Sequence, residues 1–368
     1  MTRWFIPNPA SAAPNVLAAQ VVPPGVGTLT RKEAVAQRMK EAFFPAFEQP
    51  AFFNCAREGL LQMAVEWFAD KKIAIVVNGP MSQEWYDIAD DCRAHATIFD
   101  TAYGADVDLN AFELFLRREE YDVLLLTATD VYTGTRIPLE EMCEISEQIA
   151  PDAPIVVDIS GEIFCANHSG YEERADVLLC GSEMAMGLPP GLGMAVLDER
   201  AHARVLAHNI MNGRYFNYVR YSVSQSPSAL DAPNYPLLNA LEEQMESVME
   251  EGMPDRVKRM TETRALLYEW IDAKGFTYLT APGSRALNST AIVLPNEFTA
   301  AGLETYAARY GVSVMPGTHD MTKNSLILYH GNDASVEDIK VLIRVMDRFL
   351  SDYDTRRRKS PQTQTQKV

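Results

Sequence analysis

Short apolar segments alternate with amphipathic segments through the first half of the chain. The apolar segments are rich in Val, Ile and Leu, which is typical of strands buried on both faces of a sheet. The amphipathic segments between them have the spacing of helices. This alternation predicts an α/β fold in which helices wrap a parallel sheet. The predicted strands cover residues 72–78, 96–100, 122–127, 154–158 and 176–180, and the predicted helices cover 58–70, 85–93, 108–118 and 138–149.

The pattern changes after about residue 200. Two long helical segments, 236–251 and 254–273, lead into a segment that mixes strands and helices, and an amphipathic helix over 337–350 follows. We therefore predict an N-terminal arm (1–30), a large domain (31–250), a small C-terminal α+β domain (251–352) and a disordered polar tail (353–368). Strands of the small domain are predicted near 276–280, 289–294, 312–315 and 325–330.

Composition and charge narrow the class of protein. A chain of 368 residues with 47% hydrophobic and 23% charged residues is ordinary for a globular protein. The formal net charge of -17 argues against a nucleic-acid or anionic-membrane surface. No apolar run reaches membrane-spanning length, and prolines interrupt the N-terminus where a signal peptide needs an apolar core. Five scattered cysteines and six scattered histidines favour free thiols in the cytoplasm and no metal site.

Three predicted strands end in segments that look functional. Ligands of open α/β sheets bind at the carboxyl ends of the strands, where Asp158, the stretch TATDVYTG (127–134) and the stretch GSEMAMGLPPGLG (181–193) lie. A carboxylate at the end of a buried strand is costly unless a cation meets it. From spacing alone, Asp158 either caps neighbouring backbone or pairs with a protonated ring nitrogen.

These stretches carry a family resemblance. The sequence resembles class V aminotransferases, which have the type I fold of pyridoxal-phosphate (PLP) enzymes, and within them the alanine–glyoxylate and serine–pyruvate group. The resemblance covers nearly the whole chain, with its centre in residues 123–142 and 155–200. In that family an Asp and a Ser-x-Lys stand 26 residues apart, and Asp158 and Met184 keep this interval. The resemblance implies a mostly parallel, seven-stranded-type sheet and a smaller C-terminal domain.

The resemblance implies four contacts with the cofactor or substrate, and all four positions depart from the family pattern. Met184 stands where a lysine forms the imine and shuttles the proton. The segment NCAREGLLQMA (54–64) replaces the usual phosphate-binding turn. Met81 stands at the position of an aromatic that covers the cofactor ring. Leu326 is aligned with the arginine that clamps a substrate carboxylate.

Some candidate contacts remain. Asp158 keeps the role of partner to the ring nitrogen of pyridoxal or pyridoxamine phosphate. Ser182 is a candidate donor to an anion, Arg57 is a candidate replacement for lost phosphate contacts, and Gly59 lies in the same turn. Glu58 and Glu183 oppose this arrangement, because both are expected near the phosphate position and like charges repel.

Further candidates come only from the resemblance. His319 and Lys323 lie on a small-domain loop expected to face the site, and either is an alternative proton carrier; the alternative is that both are ordinary loop residues. Asp130 and Thr133 follow a strand near the expected cofactor ring. Tyr235 belongs to the segment 227–241, which resembles one that reaches a neighbouring subunit's cofactor. We therefore expect a homodimer or a heterodimer with a paralogue.

Two hypotheses about function stay open. In the first, the protein is an enzyme that binds PLP or pyridoxamine phosphate without a lysine imine and acts on an amino or oxo substrate. In the second, it is a diverged relative: a partner subunit, a ligand-binding protein, or an enzyme with unrelated chemistry. The loss of the four contacts favours the second hypothesis, and the retained Asp158 supports the first.

Overall fold

The computed structural model describes residues 2–22, 28–68, 70–165, 174–208, 215–218, 234–318, 321 and 324–359. Its strands are β1 (Arg3–Trp4), β2 (Ala51–Phe53), β3 (Lys72–Val77), β4 (His95–Asp100), β5 (Val123–Thr127), β6 (Thr129–Asp130), β7 (Thr135–Arg136), β8 (Ile155–Asp158), β9 (Val177–Gly181), β10 (Gly193–Leu197), β11 (Thr277–Tyr278), β12 (Ser289–Val293), β13 (Val312–Ser313), β14 (Met315–Pro316) and β15 (Ser325–Tyr329). Its helices are α1 (Pro14–Ala19), α2 (Thr28–Phe43), α3 (Arg57–Trp67), α4 (Pro80–Asp91), α5 (Leu109–Leu116), α6 (Leu139–Ile149), α7 (Glu199–His208), α8 (Tyr235–Glu251), α9 (Met253–Lys274), α10 (Ala300–Ala308) and α11 (Val336–Lys359).

The large domain is built on a seven-stranded sheet with the order β2-β10-β9-β8-β5-β3-β4. The five strands from β9 to β4 pair in parallel, as the sequence predicts, and β10 runs antiparallel to both of its neighbours. Successive side chains of a strand point to opposite faces, and here both faces are covered. In β3, for example, Ala74 and Val76 join the apolar core on one face, whereas Ile73, Ile75 and Val77 join the core on the other.

The small domain contains a four-stranded antiparallel sheet with the order β11-β12-β15-β14. Its core includes Leu267 and Ile271 of α9, Leu303 of α10 and Ile339 of α11. Helix α11 continues to Lys359, beyond the expected end of the domain at residue 352.

The N-terminal arm ties the two domains together. Strand β1 pairs in parallel with β13 of the small domain. Phe5 is buried in the small-domain core, and its carbonyl oxygen accepts a hydrogen bond from Tyr329 N at 3.0 Å. The backbone N–H of Ala10 then donates to Glu183 O at 2.7 Å, within the loop that follows β9. The arm therefore crosses the carboxyl edge of the large sheet before helix α1 packs on α8.

Two features differ from the predicted elements for identifiable local reasons. Helix α4 begins at Pro80 rather than near Trp85, because proline suits the first turn of a helix and Ser82 Oγ accepts hydrogen bonds from the N–H groups of Asn78 and Gly79. Strand β10 is apolar but short and lies between loops, so its periodicity alone does not separate it from the preceding loop. Within the described residues, no helix combines the length and apolar character needed to cross a bilayer.

Candidate functional site

Asp158 lies at the carboxyl end of β8, at the centre of the large sheet. Its side chain is fully buried, and Oδ1 accepts a hydrogen bond from Ser160 N at 3.0 Å. Oδ2 accepts a hydrogen bond from Arg57 Nε at 2.7 Å. The cation that a carboxylate requires at this place is therefore supplied by the protein itself.

Arg57, the first residue of α3, uses its whole guanidinium in contacts within the protein. Besides Asp158, one terminal nitrogen meets Glu84 Oε2 and the other donates to Met81 O at 2.7 Å. Burial opposes the charge on Arg57, but Asp158 and Glu84 outweigh burial and raise its pKa. The sequence makes Arg57 a candidate for replacing lost phosphate contacts; in the structure its guanidinium binds Asp158, Glu84 and the carbonyl oxygen of Met81.

Glu183 lies at the N-terminus of α3. Its Oε1 accepts a hydrogen bond from Arg57 N at 2.8 Å, and helix N-termini favour such an anion. The residue is only 4% exposed, and Oε2 has no hydrogen-bond partner among the described residues. Burial raises the pKa of Glu183, and the N–H of Arg57 opposes that shift. The carboxylate of Glu183 thus occupies the anion position that a phosphate takes at a helix N-terminus.

Gly181, the last residue of β9, makes this arrangement possible. A Cβ atom on Gly181 would lie 2.6 Å from Arg57 Cβ and 2.8 Å from Glu183 Oε2, closer than packed atoms approach. Any side chain here would displace either α3 or the Glu183 carboxylate.

Met184 is 2% exposed and belongs to a small apolar cluster at the same edge of the sheet. We call this the methionine cluster; its buried members are Ala10, Met81, Val131, Met184 and Tyr329, with Tyr132 packed against them. The thioether of Met81 also accepts a hydrogen bond from Val131 N at 3.3 Å. Two positions at which the resemblance implies a lysine and an aromatic therefore belong to one apolar cluster, and neither carries a group that transfers protons.

Ser182 and Gly59 have structural contacts. The hydroxyl of Ser182 donates to Pro189 O at 2.7 Å and accepts from Leu192 N at 3.2 Å, so it closes its own loop instead of facing an anion. Gly59 packs tightly in the first turn of α3, where an added Cβ would lie 2.8 Å from Cys55 Cβ.

Asp130 fixes the start of α4, and Thr133 lies in the turn that follows Asp130. Asp130 Oδ2 accepts from Met81 N at 2.7 Å, and Oδ1 accepts from the N–H groups of Tyr132 and Thr133, both at 2.9 Å. Burial raises the pKa of Asp130, and these N–H groups oppose the shift. The Thr133 hydroxyl donates within the same turn, to Thr135 Oγ1 at 2.9 Å. Both side chains act as turn-forming groups in this chain.

The remaining candidates divide into three groups. Tyr235 begins helix α8 and packs against the large-domain core, whereas residues 227–233 of the segment expected to cross a dimer interface (227–241) lie outside the described residues. His319 and Lys323 also lie outside the described residues. Leu326 points into the small-domain core, so the opposite face of β15, with Ile327 and Tyr329, lies towards the large domain.

The sequence predicts the N-terminal arm, but neither the contribution of that arm to the site nor the role of Glu84 was foreseen. Glu84 lies one helical turn after Met81 on α4, and this spacing was the available signal. Asn8 has no local signal, yet its Nδ2 donates to the Tyr132 hydroxyl at 3.0 Å. With Arg57, Glu183 and Met184, these residues line one cavity of about 390 Å³. Among the described residues, no group of three or more His, Cys, Asp and Glu has the arrangement of a metal site.

The arrangement of sheet, small domain and strand-end site defines the aminotransferase fold of PLP enzymes, as the sequence predicts. A crystal structure of ureidoglycine–glyoxylate aminotransferase from Bacillus subtilis superposes with a TM-score of 0.86 at 17% identity, covering 96% of this chain and 94% of that one. At this identity the likeness shows the fold alone.

Curated relatives are also aminotransferases, which confirms the predicted resemblance. An uncharacterised aminotransferase of Methanocaldococcus jannaschii is 22% identical over 302 residues, 79% of this chain and 77% of its own length. Alanine–glyoxylate aminotransferase 1 of Saccharomyces cerevisiae is 24% identical over 202 residues, 51% of each chain. No protein-family model matches the chain.

The fold implies a PLP-type cofactor, and the residues at this site do not fit one. Asp158, the expected partner of the ring nitrogen, is paired with Arg57. The N-terminus of α3, the expected phosphate position, holds the Glu183 carboxylate, so a phosphate there would meet a buried negative charge. Met184 offers no amine for an imine.

Proposed function

We propose that this protein is a diverged relative of class V aminotransferases that binds a small molecule without PLP and performs no lysine-dependent transamination. The observation that carries the proposal is the buried ion pair of Arg57 and Asp158. In this arrangement the carboxylate that would hold a pyridine nitrogen is neutralised by a residue of the same chain.

The charged contacts of Arg57 and Glu183 support the proposal, because a PLP-type cofactor would have to displace both. A cofactor ring could bind Asp158 only after Arg57 moved, and Arg57 is held by Asp158, Glu84 and Met81 O together. Moving Arg57 would leave two carboxylates without their cation, and breaking a buried pair costs about 3–5 kcal/mol. A cofactor phosphate would in addition have to displace Glu183 from the N-terminus of α3.

The alternative from the sequence, an enzyme that binds PLP or pyridoxamine phosphate without an imine, depends on Asp158 alone. It retains support because Asp158 stands at the strand end expected for it. It requires that binding of the cofactor outweigh the loss of both internal contacts described above.

A titration separates these two functions. Purified wild-type protein is titrated with PLP and with pyridoxamine phosphate by calorimetry and visible absorbance, and PLP-treated protein is reduced with borohydride and mapped by mass spectrometry. We expect no saturable binding below millimolar concentration and no modified site-specific lysine. Saturable pyridoxamine phosphate binding that disappears in Asp158→Asn would overturn the proposal and support the alternative. A survey by mass spectrometry of small molecules that co-purify with the protein would identify the ligand directly.

The proposed function is compatible with a dimer. Helix α1 packs on α8 and carries the exposed Leu17, and the exposed Val21 and Val22 lie just beyond its C-terminal end. Apolar groups gathered in this way are typical of a contact surface. We further propose a cytoplasmic dimer, either of two copies or with a paralogue.

A further inference from the structure

The cavity at the candidate site has an acidic wall. Four carboxylates line it, from Glu58, Glu84, Asp87 and Glu183, and Arg57 is the one cationic side chain among its described lining residues. Glu58 and Asp87 are exposed to solvent, whereas Glu183 is buried beside α3. An incoming ligand therefore meets mainly negative charge.

The positive charge of Arg57 is not available to a ligand. Each of its side-chain nitrogens already has an acceptor in Asp158, Glu84 or the carbonyl oxygen of Met81. The Arg57 side chain is 3% exposed, so water and solutes hardly reach it. After this pairing Glu58, Asp87 and Glu183 remain without a cation in the cavity, and an anionic ligand would be repelled.

Glu183 provides an independent sign of a missing partner. Its Oε2 is buried and has no hydrogen-bond partner among the described residues, while Oε1 is held by Arg57 N. A buried acceptor left unsatisfied costs about 1–3 kcal/mol, and more when it is charged. Gly181 contributes no side chain that covers this oxygen. A positively charged donor placed here would satisfy the carboxylate and remove the cost.

The remaining lining is suited to the carbon part of a small organic molecule. Met184 and Pro190 offer apolar surface, and the ring of Tyr132 lies at the same cavity. Aromatic faces attract cations, and thioethers pack against irregular apolar groups. A volume of about 390 Å³ is within the range of small-ligand sites.

We propose that this cavity binds a small organic cation, an amine or guanidine of a few carbons, with its charged group against Glu183 and its carbon chain over Met184 and Tyr132. The inference depends on the proposed function, because it assigns the ligand class of the same PLP-free site. Burial raises the pKa of Glu183, so a bound cation would release a proton from the fraction of Glu183 that is protonated.

The test uses agmatine and putrescine as cationic probes, with succinate and inorganic phosphate as anions. Each is added to the wild-type protein at fixed ionic strength, and binding is measured by calorimetry and thermal unfolding. We expect saturable binding and a rise in Tm with at least one amine and none with the anions. Succinate or phosphate binding as tightly as the amines, or no saturable binding of either amine, would overturn the inference.

Matched variants locate the binding. Glu183→Gln keeps an acceptor for Arg57 N and removes the charge, so we expect at least tenfold weaker amine binding. Asp87→Asn tests the outer wall if Glu183→Gln does not fold, and there too the affinity should fall. Glu113→Gln, on the far exposed face of α5, changes net charge equally and should leave the affinity unchanged. An unchanged affinity in the first two variants would contradict the inference. Tight PLP binding would refute the proposed function instead, so the two failures are distinguishable.

Discussion

Arg57 Nε and Asp158 Oδ2 lie 2.7 Å apart, joining the first residue of α3 to the last residue of β8 across 101 positions of sequence. Both side chains are buried, so this ion pair is shielded from solvent. It links a helix N-terminus to the central strands and gives the strand-end carboxylate its only cation among the described residues.

We expect Arg57→Met to lower the free energy of unfolding by about 3–5 kcal/mol, because it leaves Asp158 buried without its cation. Arg57→Met combined with Asp158→Asn should recover at least about 1 kcal/mol of that loss, because the buried negative charge of Asp158 is then removed as well. Urea denaturation measures both values. Arg174→Met is the control: Arg174 pairs with Glu144 and Glu147 at the surface, where the loss should stay below about 1 kcal/mol. A loss below about 1 kcal/mol for Arg57→Met would contradict the assignment of Arg57 and Asp158 as a buried ion pair.

Met184→Lys should destabilise the protein and should not create a PLP enzyme. The new ammonium would enter the methionine cluster, and burying a charge without a partner costs more than about 2 kcal/mol. Burial would lower the lysine pKa below its usual 10.4 or so, and the loss of stability should therefore shrink as the pH rises toward that value. Urea denaturation at several pH values measures this. Met184→Leu, a change of similar volume, should cost less than about 1.5 kcal/mol. A visible PLP imine in Met184→Lys would show that Arg57 and Glu183 do not exclude the cofactor.

Phe5→Ala should destabilise the protein by about 3–5 kcal/mol, because the ring is buried in the small-domain core although it belongs to the N-terminal arm. Thr2→Ala serves as a control in the same N-terminal region, since Thr2 is exposed and its truncation should change stability by less than about 0.5 kcal/mol. Thermal and urea unfolding measure both variants. Equal, small effects would mean that the arm is not bound as described.

His330 should make stability depend on pH. Burial, and to a lesser degree Arg264, lowers its pKa to about 3, while an unfolded histidine titrates near about 6.5. The unfolded chain therefore binds more protons between these values, and stability falls as the pH is lowered through that window. The slope for one proton is about 1.4 kcal/mol per pH unit. His330→Asn should flatten the dependence between pH 6 and pH 5 by about 1 kcal/mol. His95→Gln, at an exposed strand residue, is the control for removing a histidine elsewhere in the chain.

Light scattering after size exclusion should give a mass near twice the chain mass of 41.0 kDa. Val21→Glu together with Val22→Glu should shift the protein toward the monomer, because each places a charge on the exposed apolar surface at the end of α1. Leu114→Glu is the control, since Leu114 is 64% exposed on α5, away from α1. A monomeric wild-type protein would contradict the proposed dimer.

The sequence predicted the fold well because its strands are buried on both faces. Continuous runs of Val, Ile and Leu, as in residues 154–158, have few alternatives in a chain of this length, and the order of elements follows from them. The small-domain region 312–315 shows the limit: its four predicted strand residues form parts of two short strands, β13 and β14, with Val314 between them. Periodicity over so few residues cannot specify which neighbours a strand will pair with.

The positions of the candidate residues follow from the sequence more readily than their contacts do. Asp158 ends β8 and Met184 follows β9, so the sheet places both residues at its carboxyl edge. The direction of the Arg57 side chain depends on Glu84 and Asp158, which are 27 and 101 positions away, and no local pattern reports such a contact. Ser182 likewise donates its hydroxyl hydrogen bond to Pro189 O in its own loop. This contact depends on how the loop closes, which the residue type alone does not predict.

The pairing of β1 with β13 also has a consequence for biosynthesis. Residues 3 and 4 leave the ribosome 309 residues before their partners at 312 and 313. The segment that contains β1 therefore stays undocked while those residues are made, and Phe5 stays without its pocket during that time. A product truncated before residue 312 would carry that exposed ring permanently, which marks it as a target for chaperones and proteases.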